Sequence, residues 1–595
     1  MAKKKSKRKH SSNPSSIETP SPSLNLLCNI NGESEINEFE SCLAELSEQQ
    51  HYNDDEKKVH KFKTENNVLS GDLNTEQKSV SGEANVDESK EEILWNTSIK
   101  PPVISAIKKD KNRNRDFENC IPNIQLEMAR HLHMKTLSSF LLKSCPNIRM
   151  PTFERWVIDS KMEERQKRKL QNHSNRPTHH FTTKKDRKKR RKRNNDTIIE
   201  ALAATKTVWW DPVIPSCPEL SDPSCQRLLR EIDLVSQKSN IKIKIDAKSI
   251  CSQLCAKAVE ATKSIYNMIQ RLGLYQNLDK NRAGEKISLK KGKFSFDQDD
   301  SDVNEVDKEE SYLTYSLVYA RKKIKKPFVI QINESHYKKL KQMFNFSTQN
   351  RLQSHSKHSK YAFHFILFSL LLRYSSLSGG QLLKDLRGGG MQGGIHTQVF
   401  QYLHETLDCR MECFASPFNV YFCNYCSAFE EEQNFFGSFG NFFNMESMEG
   451  CFEANPPFAP GFMKEMVTTM NHHLNVANEK DVLLTFVIIV PSCKMPIQDD
   501  VIHKFAYESF QSMLDSPYFV NHTILKARNH GYIEAAQHLR PTRFKQSQYD
   551  TSVIVLQSKI YQYDSTWWDT FEGGLLKAFE SRHEMEIKNR IMMKK

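Results

Sequence analysis

The chain is predicted to be an α/β protein, with a doubly wound sheet in its C-terminal half and a mainly helical domain before it. Three observations carry this. Between about 361 and 559, helix-like and strand-like segments alternate, the pattern of a mostly parallel sheet covered by helices. Residues 482–490 are almost continuously apolar, as a strand buried on both faces must be. The tetrad Asn455-Pro456-Pro457-Phe458 follows a short apolar approach, which places it at the carboxyl end of a strand, where such sheets bind ligands.

Taken in order, residues 1–97 are rich in Ser, Glu, Asn and Lys and poor in aromatics. They bury too little apolar surface to offset the entropy of ordering, so disorder is expected. Residues 98–211 read as a helical segment, with apolar periodicity around 124–132, followed by a basic linker whose run 184–193 resembles a nuclear localisation signal or phosphate-binding patch. Residues 212–350 read as a helical domain. Its helical pattern covers 221–273, a polar insertion at 277–310 interrupts it as a loop, a strand falls at 328–332, and a helix at 334–344 follows.

Residues 351–565 form the α/β unit. Helices are expected at 362–374, 396–407, 460–477 and about 500–514, and strands at 410–414, 482–490, 523–525 and 552–556. Residues 566–595 read as a C-terminal tail. The 595 residues carry a formal net charge of +14 and 14 scattered cysteines. This suits a polyanionic partner and a reducing compartment, and two basic clusters favour the nucleus. The N-terminus opens on lysines with no apolar core behind them, so no signal peptide is expected, and no apolar run is long enough to span a bilayer.

The chemistry resides in the tetrad. The lone pair of an amine on a nucleobase is delocalised into the ring, which makes it a poor nucleophile. The Asn455 side-chain oxygen and the carbonyl that follows can accept the amine's hydrogens, drawing the nitrogen toward a tetrahedral geometry in line with a sulfonium methyl. Pro456 and Pro457 bring no competing N–H and stiffen the turn. Phe458 can stack on the base. A Pro-Pro turn closing a strand is the plainer explanation. The loop after the expected strand 410–414, with Phe414, Ala415, Ser416, Pro417 and Asn419, stands where a methyl donor would be held, with Ala415 and Ser416 as the small residues in place of glycines. Glu430, Glu431, Glu432, Glu446 and Glu449 are alternatives for holding ribose hydroxyls. The glycines at 388–394 either border the donor pocket or connect elements.

Four short motifs occur in one order and spacing: Glu412-Cys413-Phe414-Ala415-Ser416-Pro417, Cys426-Ser427-Ala428-Phe429, Phe436-Gly437-Ser438, and Phe452-Glu453-Ala454-Asn455-Pro456-Pro457-Phe458. Together they resemble the cap-specific adenosine N6-methyltransferases, also called phosphorylated-CTD-interacting factors. The likeness is dense from 374 to 458 and extends as organisation over 212–559. It implies a helical domain on a Rossmann-like methyltransferase domain, S-adenosylmethionine as donor, and the N6 of a 2′-O-methylated adenosine beside the 7-methylguanosine cap of mRNA as target. Asn455, Pro456, Pro457 and Phe458 match the catalytic positions. Members that bind the phosphorylated tail of RNA polymerase II carry a WW domain, with two tryptophans about 20 residues apart. Trp95, Trp156, Trp209, Trp210, Trp567 and Trp568 include no such pair, which argues against recruitment of that kind.

Arg540, Arg543 and Lys545 mix with Phe544 between two expected strands and suit cap phosphates as well as they suit a solvated loop. Trp209-Trp210 could be a stacking platform, but plain core is the preferred reading. Cys409, Cys413, Cys423 and Cys426 have a spacing a zinc ion could use, but two fall in or beside a strand and two on an expected helix, so buried cysteine is the simpler reading and no metal is assigned. Three functions remain to be separated: cap-adjacent methylation, adenine methylation of another RNA or DNA, and a catalytically silent RNA-binding adaptor.

Overall fold

The structure, a computed structural model, describes residues 96, 98–99, 121–174, 210–238, 246–276, 285–295, 311–321, 327–348, 359–380, 393–429, 434–493, 501–534, 543–559 and 563–593. Nearly all of 1–97, most of the insertion 277–310, the basic run 184–193, Trp209, residues 388–392, Glu430 to Glu432 and Arg540 lie outside them. The chain divides into two units, Met1–His60 with Ala320–Phe328 and Lys61–Tyr319 with Val329–Lys595, and the site is built in the larger.

Helices come first. α1 (Ile124–Ser144) starts on Asn123, whose side chain accepts from the Gln125 N–H and so satisfies one of the first turn's free donors. α2 (Met150–Ser174) and α3 (Pro223–Lys238) pack on one another. α4 (Ala247–Leu272) is capped by Asp246 and stops at Gly273, whose positive φ of 75° a side chain would resist. Strands β1 (Lys286–Ser295), β2 (Ser311–Ala320) and β3 (Phe328–Asn333) form a small sheet in that order. β1 therefore occupies part of the insertion expected as a loop. Its alternation is masked by four exposed lysines, Lys286, Lys290, Lys291 and Lys293. α5 (Glu334–Thr348) and α6 (Ser359–Leu377) follow, and α6 packs on α1.

The main sheet is built from β4 (Cys409–Glu412), β5 (Gly450–Ala454), β6 (Leu484–Pro491), β7 (Phe519–Leu525) and β10 (Thr551–Gln557), in the order β7-β10-β6-β5-β4. β4, β5 and β6 run parallel, and β10 is antiparallel to both of its neighbours. The sheet is thus mixed. β6 is buried along nearly its whole length because both faces are covered. On one face Phe452, Phe486, Ile488 and Ile554 meet Met463, Met466 and Met470 of α8 (Pro460–Glu479), with Phe510 and Met513 of α9 (Val501–Leu514). On the other, Val487, Ile489, Val553 and Val555 meet Val399 and Leu403 of α7 (Thr397–Leu407), with Trp568, Phe571 and Leu575 of α10 (Ser565–Met593).

The stretch expected as a tail is thus mostly α10, docked on α7. Strands β8 (Gly531–Glu534) and β9 (Arg543–Gln546) pair with each other, and β8 also pairs with Gly393–Gly394, making a third sheet. Arg543 and Lys545 are therefore part of a strand, not of a loop between two strands. Between β4 and β5 no further strand joins the main sheet among the described residues, which there form turns, isolated bridges such as Glu412 with Tyr425, and two short 3-10 segments. Cys423 and Cys426 lie in this irregular stretch, not on the expected helix. A backbone that bends every few residues there lets the Phe435, Phe436, Phe442 and Phe443 rings reach the core.

Candidate active site

Parallel strands leave a sheet on the same edge. β4 and β5 are hydrogen-bonded neighbours with Glu412 opposite Glu453, so the segments after them, 413–420 and 455–459, emerge side by side. Both line one cavity of about 640 Å³, through Phe414, Ala415, Ser416 and Asn419 from the first and Asn455 and Pro457 from the second. The expected donor loop and tetrad are thus brought together. Pro417, Pro456 and Phe458 do not reach the wall. Phe458 is half-buried against the core that holds α8.

Asn455 donates from Nδ2 to the Gly393 carbonyl at 3.1 Å. A carbonyl can only accept, so this contact fixes which way the amide is turned. Its Oδ1 accepts no hydrogen bond from any described residue, and neither does the Pro456 carbonyl. The Pro457 carbonyl is taken by the Ala459 N–H at 2.8 Å, closing the turn into α8, with Pro460 in its first turn. The first turn of α8 is anchored from outside the sheet. Asp159 of α2 accepts from the Phe462 N–H at 3.1 Å, and a Cβ on Gly461 would stand 2.7 Å from the same carboxylate. Only glycine permits that approach.

The loop after β4 holds its shape without glycine. Asn419 Oδ1 accepts from the Ser416 N–H (2.7 Å) and Ser416 Oγ (3.0 Å), while Asn419 Nδ2 donates to Gly393 O at 3.4 Å, the same carbonyl that holds Asn455. Glu412, which opens the first motif, and Lys339, not singled out in the sequence, complete it. Glu412 Oε1 accepts from the Tyr421 and Phe422 N–H groups at 2.8 and 3.0 Å, and Lys339 Nζ of α5 donates to the Phe418 and Val420 carbonyls, both at 2.9 Å. Burial pushes the Lys339 ammonium down, against the pull of Glu412, and pushes the Glu412 carboxyl up, against those two N–H groups and Lys339. Glu453 is raised further by burial and by Glu412 beside it.

The remaining wall is strongly basic. Arg130, Lys161, Arg165, Arg168, Lys169 and Arg373 line the cavity, and among the described residues no Asp or Glu does. Four of these lie on α2, and spacings of three to four residues turn Lys161, Arg165, Arg168 and Lys169 to one side of the helix. Arg165 lies 5.4 Å over the Phe443 ring and donates to Asn444 Oδ1 at 2.7 Å. Arg168 lies 5.3 Å over Trp210, so Trp210 is a half-buried platform on the cavity wall and not plain core.

Behind the wall sits a buried charge network. Glu127 accepts two bonds from Arg373 (2.8 and 2.6 Å) and another from Arg130, which also donates to Asp211 at 2.8 Å. Burial alone would raise the Glu127 carboxyl, but Arg373 and Arg130 outweigh it and hold it below its ordinary value. The cations expected from the sequence fall elsewhere: Arg543 and Lys545 are on β9, and Lys545 is exposed and does not line the cavity. Glu446 and Glu449, two of the ribose candidates, are exposed and also absent from the wall. Among the described residues no cluster of three or more His, Cys, Asp or Glu is placed to hold a metal ion.

Residues 339–535 match the family model described as "Phosphorylated CTD interacting factor 1 WW domain". Over that segment the chain is similar to this family. Two curated relatives, each named mRNA (2′-O-methyladenosine-N(6)-)-methyltransferase, are similar over 194 residues: one from Homo sapiens at 32% identity and one from Mus musculus at 31%. That stretch is 32% of this chain and 25% of either relative, so the chain spans about a quarter of the length of the curated relatives it matches. The matched segment contains Lys339, the loop after β4 and the tetrad, but α2 lies outside it. All six tryptophans also lie outside it, so the two tryptophans of a WW domain are not found there despite the family's name.

Proposed function

We propose that the protein is an S-adenosylmethionine-dependent N6-methyltransferase acting on the 2′-O-methyladenosine beside the 7-methylguanosine cap of mRNA, in the nucleus. The observation that carries the reading is Asn455 Oδ1 on the cavity wall, with the Pro456 carbonyl one residue on in the same turn, both unpartnered among the described residues. An exocyclic amine carries two hydrogens, and this turn offers it two acceptors. Gly393 keeps the Asn455 amide turned the required way.

The residues present fit the donor. The cavity is of small-molecule size, roughly 300–1,000 Å³ being usual, and its floor is a loop at the carboxyl end of β4 whose wall residues are as small as Ala415 and Ser416. S-adenosylmethionine, when bound, supplies the electrophilic methyl. The chain's part is to present the amine. Asn455 and Pro456 hold its hydrogens, and the apolar Phe414, Phe442 and Phe462 on the wall keep water from the reacting nitrogen, whereas Phe458 packs on the core and is given no contact with the base. With helices on both faces and ligand loops at the strand ends, the sheet supports a Rossmann-like domain shortened beyond β4. The basic wall supports a polyphosphate-bearing substrate such as a cap, and the relatives' names support this particular adenosine. No WW-type recruitment to RNA polymerase II is included, because the tryptophan pair is missing.

The test is methyl transfer from labelled S-adenosylmethionine to RNAs beginning with 2′-O-methyladenosine, capped and uncapped. Transfer restricted to capped RNA supports the proposal. Equal transfer to both removes cap specificity, and no transfer to either removes the enzyme.

A further inference from the structure

Lys339 does not line the cavity, yet it touches the segment that does. It projects from α5, is 2% exposed, and gives its ammonium to two carbonyls of one turn, Phe418 and Val420. A lysine in such a place is costly, since its charge leaves water and an apolar side chain would fill the space without that penalty. The residues around it show what it does there. The same turn is held from the other end by Glu412, which takes the Tyr421 and Phe422 N–H groups, and from within by Asn419 and Ser416. The Phe418 ring, edge-on to Tyr374 at 5.5 Å and to His336 at 5.9 Å, packs the turn against α6 and α5. A loop with glycines could adopt a tight path by conformational freedom alone. This loop has none between Glu412 and Phe422.

We propose that Lys339 is a positioning residue for the methyl donor: by drawing the Phe418 and Val420 carbonyls toward α5 it fixes the path of residues 414–420, and with it the places of Ser416 and Asn419 on the cavity wall. The inference rests on the donor site proposed above. It extends it by assigning the loop's shape to a residue that never meets the ligand. Its effect falls on the donor and not on the RNA, because the cationic wall is carried by α1, α2 and α6.

The experiment uses the full chain and S-adenosylhomocysteine, whose affinity is read by calorimetry and needs no turnover. Lys339→Met keeps length and volume but loses all three donors. It is expected to weaken S-adenosylhomocysteine at least tenfold while the KM for capped RNA stays within twofold. Lys339→Arg, which can still reach both carbonyls, is expected to recover part of the loss. Leu340→Ala, a fully buried change on the same helix, reports destabilisation alone and is expected to lower the melting temperature with affinity unchanged. If Lys339→Met does not fold, Lys339→Gln, which keeps two amide N–H donors on a shorter stem, is read against the same tenfold criterion. Unchanged affinity in whichever variant folds overturns the role of Lys339. No binding by the unaltered chain overturns the donor site itself, a different result from the first.

Discussion

Replacing Arg373 by Met tests the basic wall and the network behind it in one step. Arg373 and Glu127 are buried and joined by two charge-assisted bonds of 2.8 and 2.6 Å. Without Arg373 the Glu127 carboxylate keeps only Arg130, which is shared with Asp211. Breaking a buried pair from one side costs about 3–5 kcal/mol, and the remaining partner retains part of that, so we expect about 3 kcal/mol. That corresponds to roughly a hundredfold in the unfolding equilibrium, about 1.36 kcal/mol being a factor of ten. Urea unfolding followed by far-ultraviolet circular dichroism measures it, read on the transition that loses the helical signal.

The double variant Arg373→Met with Glu127→Gln removes the orphaned charge, and its destabilisation is expected to be smaller than the sum of the two single variants by about 1 kcal/mol or more. The pH dependence has a definite sign. Glu127 is held below its ordinary value, so its stabilisation is present above the unfolded carboxylate range and is lost as pH falls through the lower folded value. The Arg373→Met variant should therefore show a flatter acid limb than the unaltered chain. A loss below about 1 kcal/mol, or strict additivity in the double variant, would refute the account of the network.

Asn455→Ala is expected to lower kcat by about 10²–10³, the cost of deleting one preorganised hydrogen-bonding group. Stability should change by only about 1 kcal/mol, because the side chain gives up one hydrogen bond, to Gly393; single-turnover transfer and a melting curve measure the two. Asn455→Asp keeps an acceptor but cannot donate to Gly393, so its rate should fall between those of the unaltered chain and Asn455→Ala. A rate equal to that of Asn455→Ala would deny that acceptance matters. Arg168→Ala removes an exposed cation stacked on Trp210; it is expected to raise the KM for capped RNA several-fold and lower the salt slope by about one charge, with S-adenosylhomocysteine affinity unaltered. A salt slope that does not move would take Arg168 out of the RNA site.

How much of this can be read from the sequence depends on whether the cause is local. β6 is legible because a strand covered on both faces must be apolar throughout, and the place of the tetrad because a short apolar strand runs directly into it. The loop after β4 is legible in its place beside the tetrad but not in what shapes it: Lys339 lies far upstream, and one lysine on an amphipathic helix looks like any solvated one. The basic wall escapes the sequence for a related reason. Lys161, Arg165, Arg168 and Lys169 share one side of α2, yet charges on a helix ordinarily face water, and only tertiary packing turns this side toward the tetrad. Arg543 and Lys545 attract notice because they lie beside Phe544 in the chain, a local cue that sheet pairing overrides. β1 is hidden by the exposed lysines along it. α10 passes for a tail because nothing local marks that Trp568, Phe571 and Leu575 are to be buried against α7.

The central claim is that Asn455 and Pro456 present an exocyclic amine to a methyl donor. It is tested most directly by locating the new methyl group: capped RNA beginning with 2′-O-methyladenosine is incubated with the protein and S-adenosylmethionine, digested to nucleosides and analysed by fragmentation mass spectrometry. We predict N6,2′-O-dimethyladenosine, absent when Asn455 is replaced by Ala. A methyl on a ring nitrogen or on a ribose oxygen, or the same product from the Asn455→Ala variant at an undiminished rate, would contradict it.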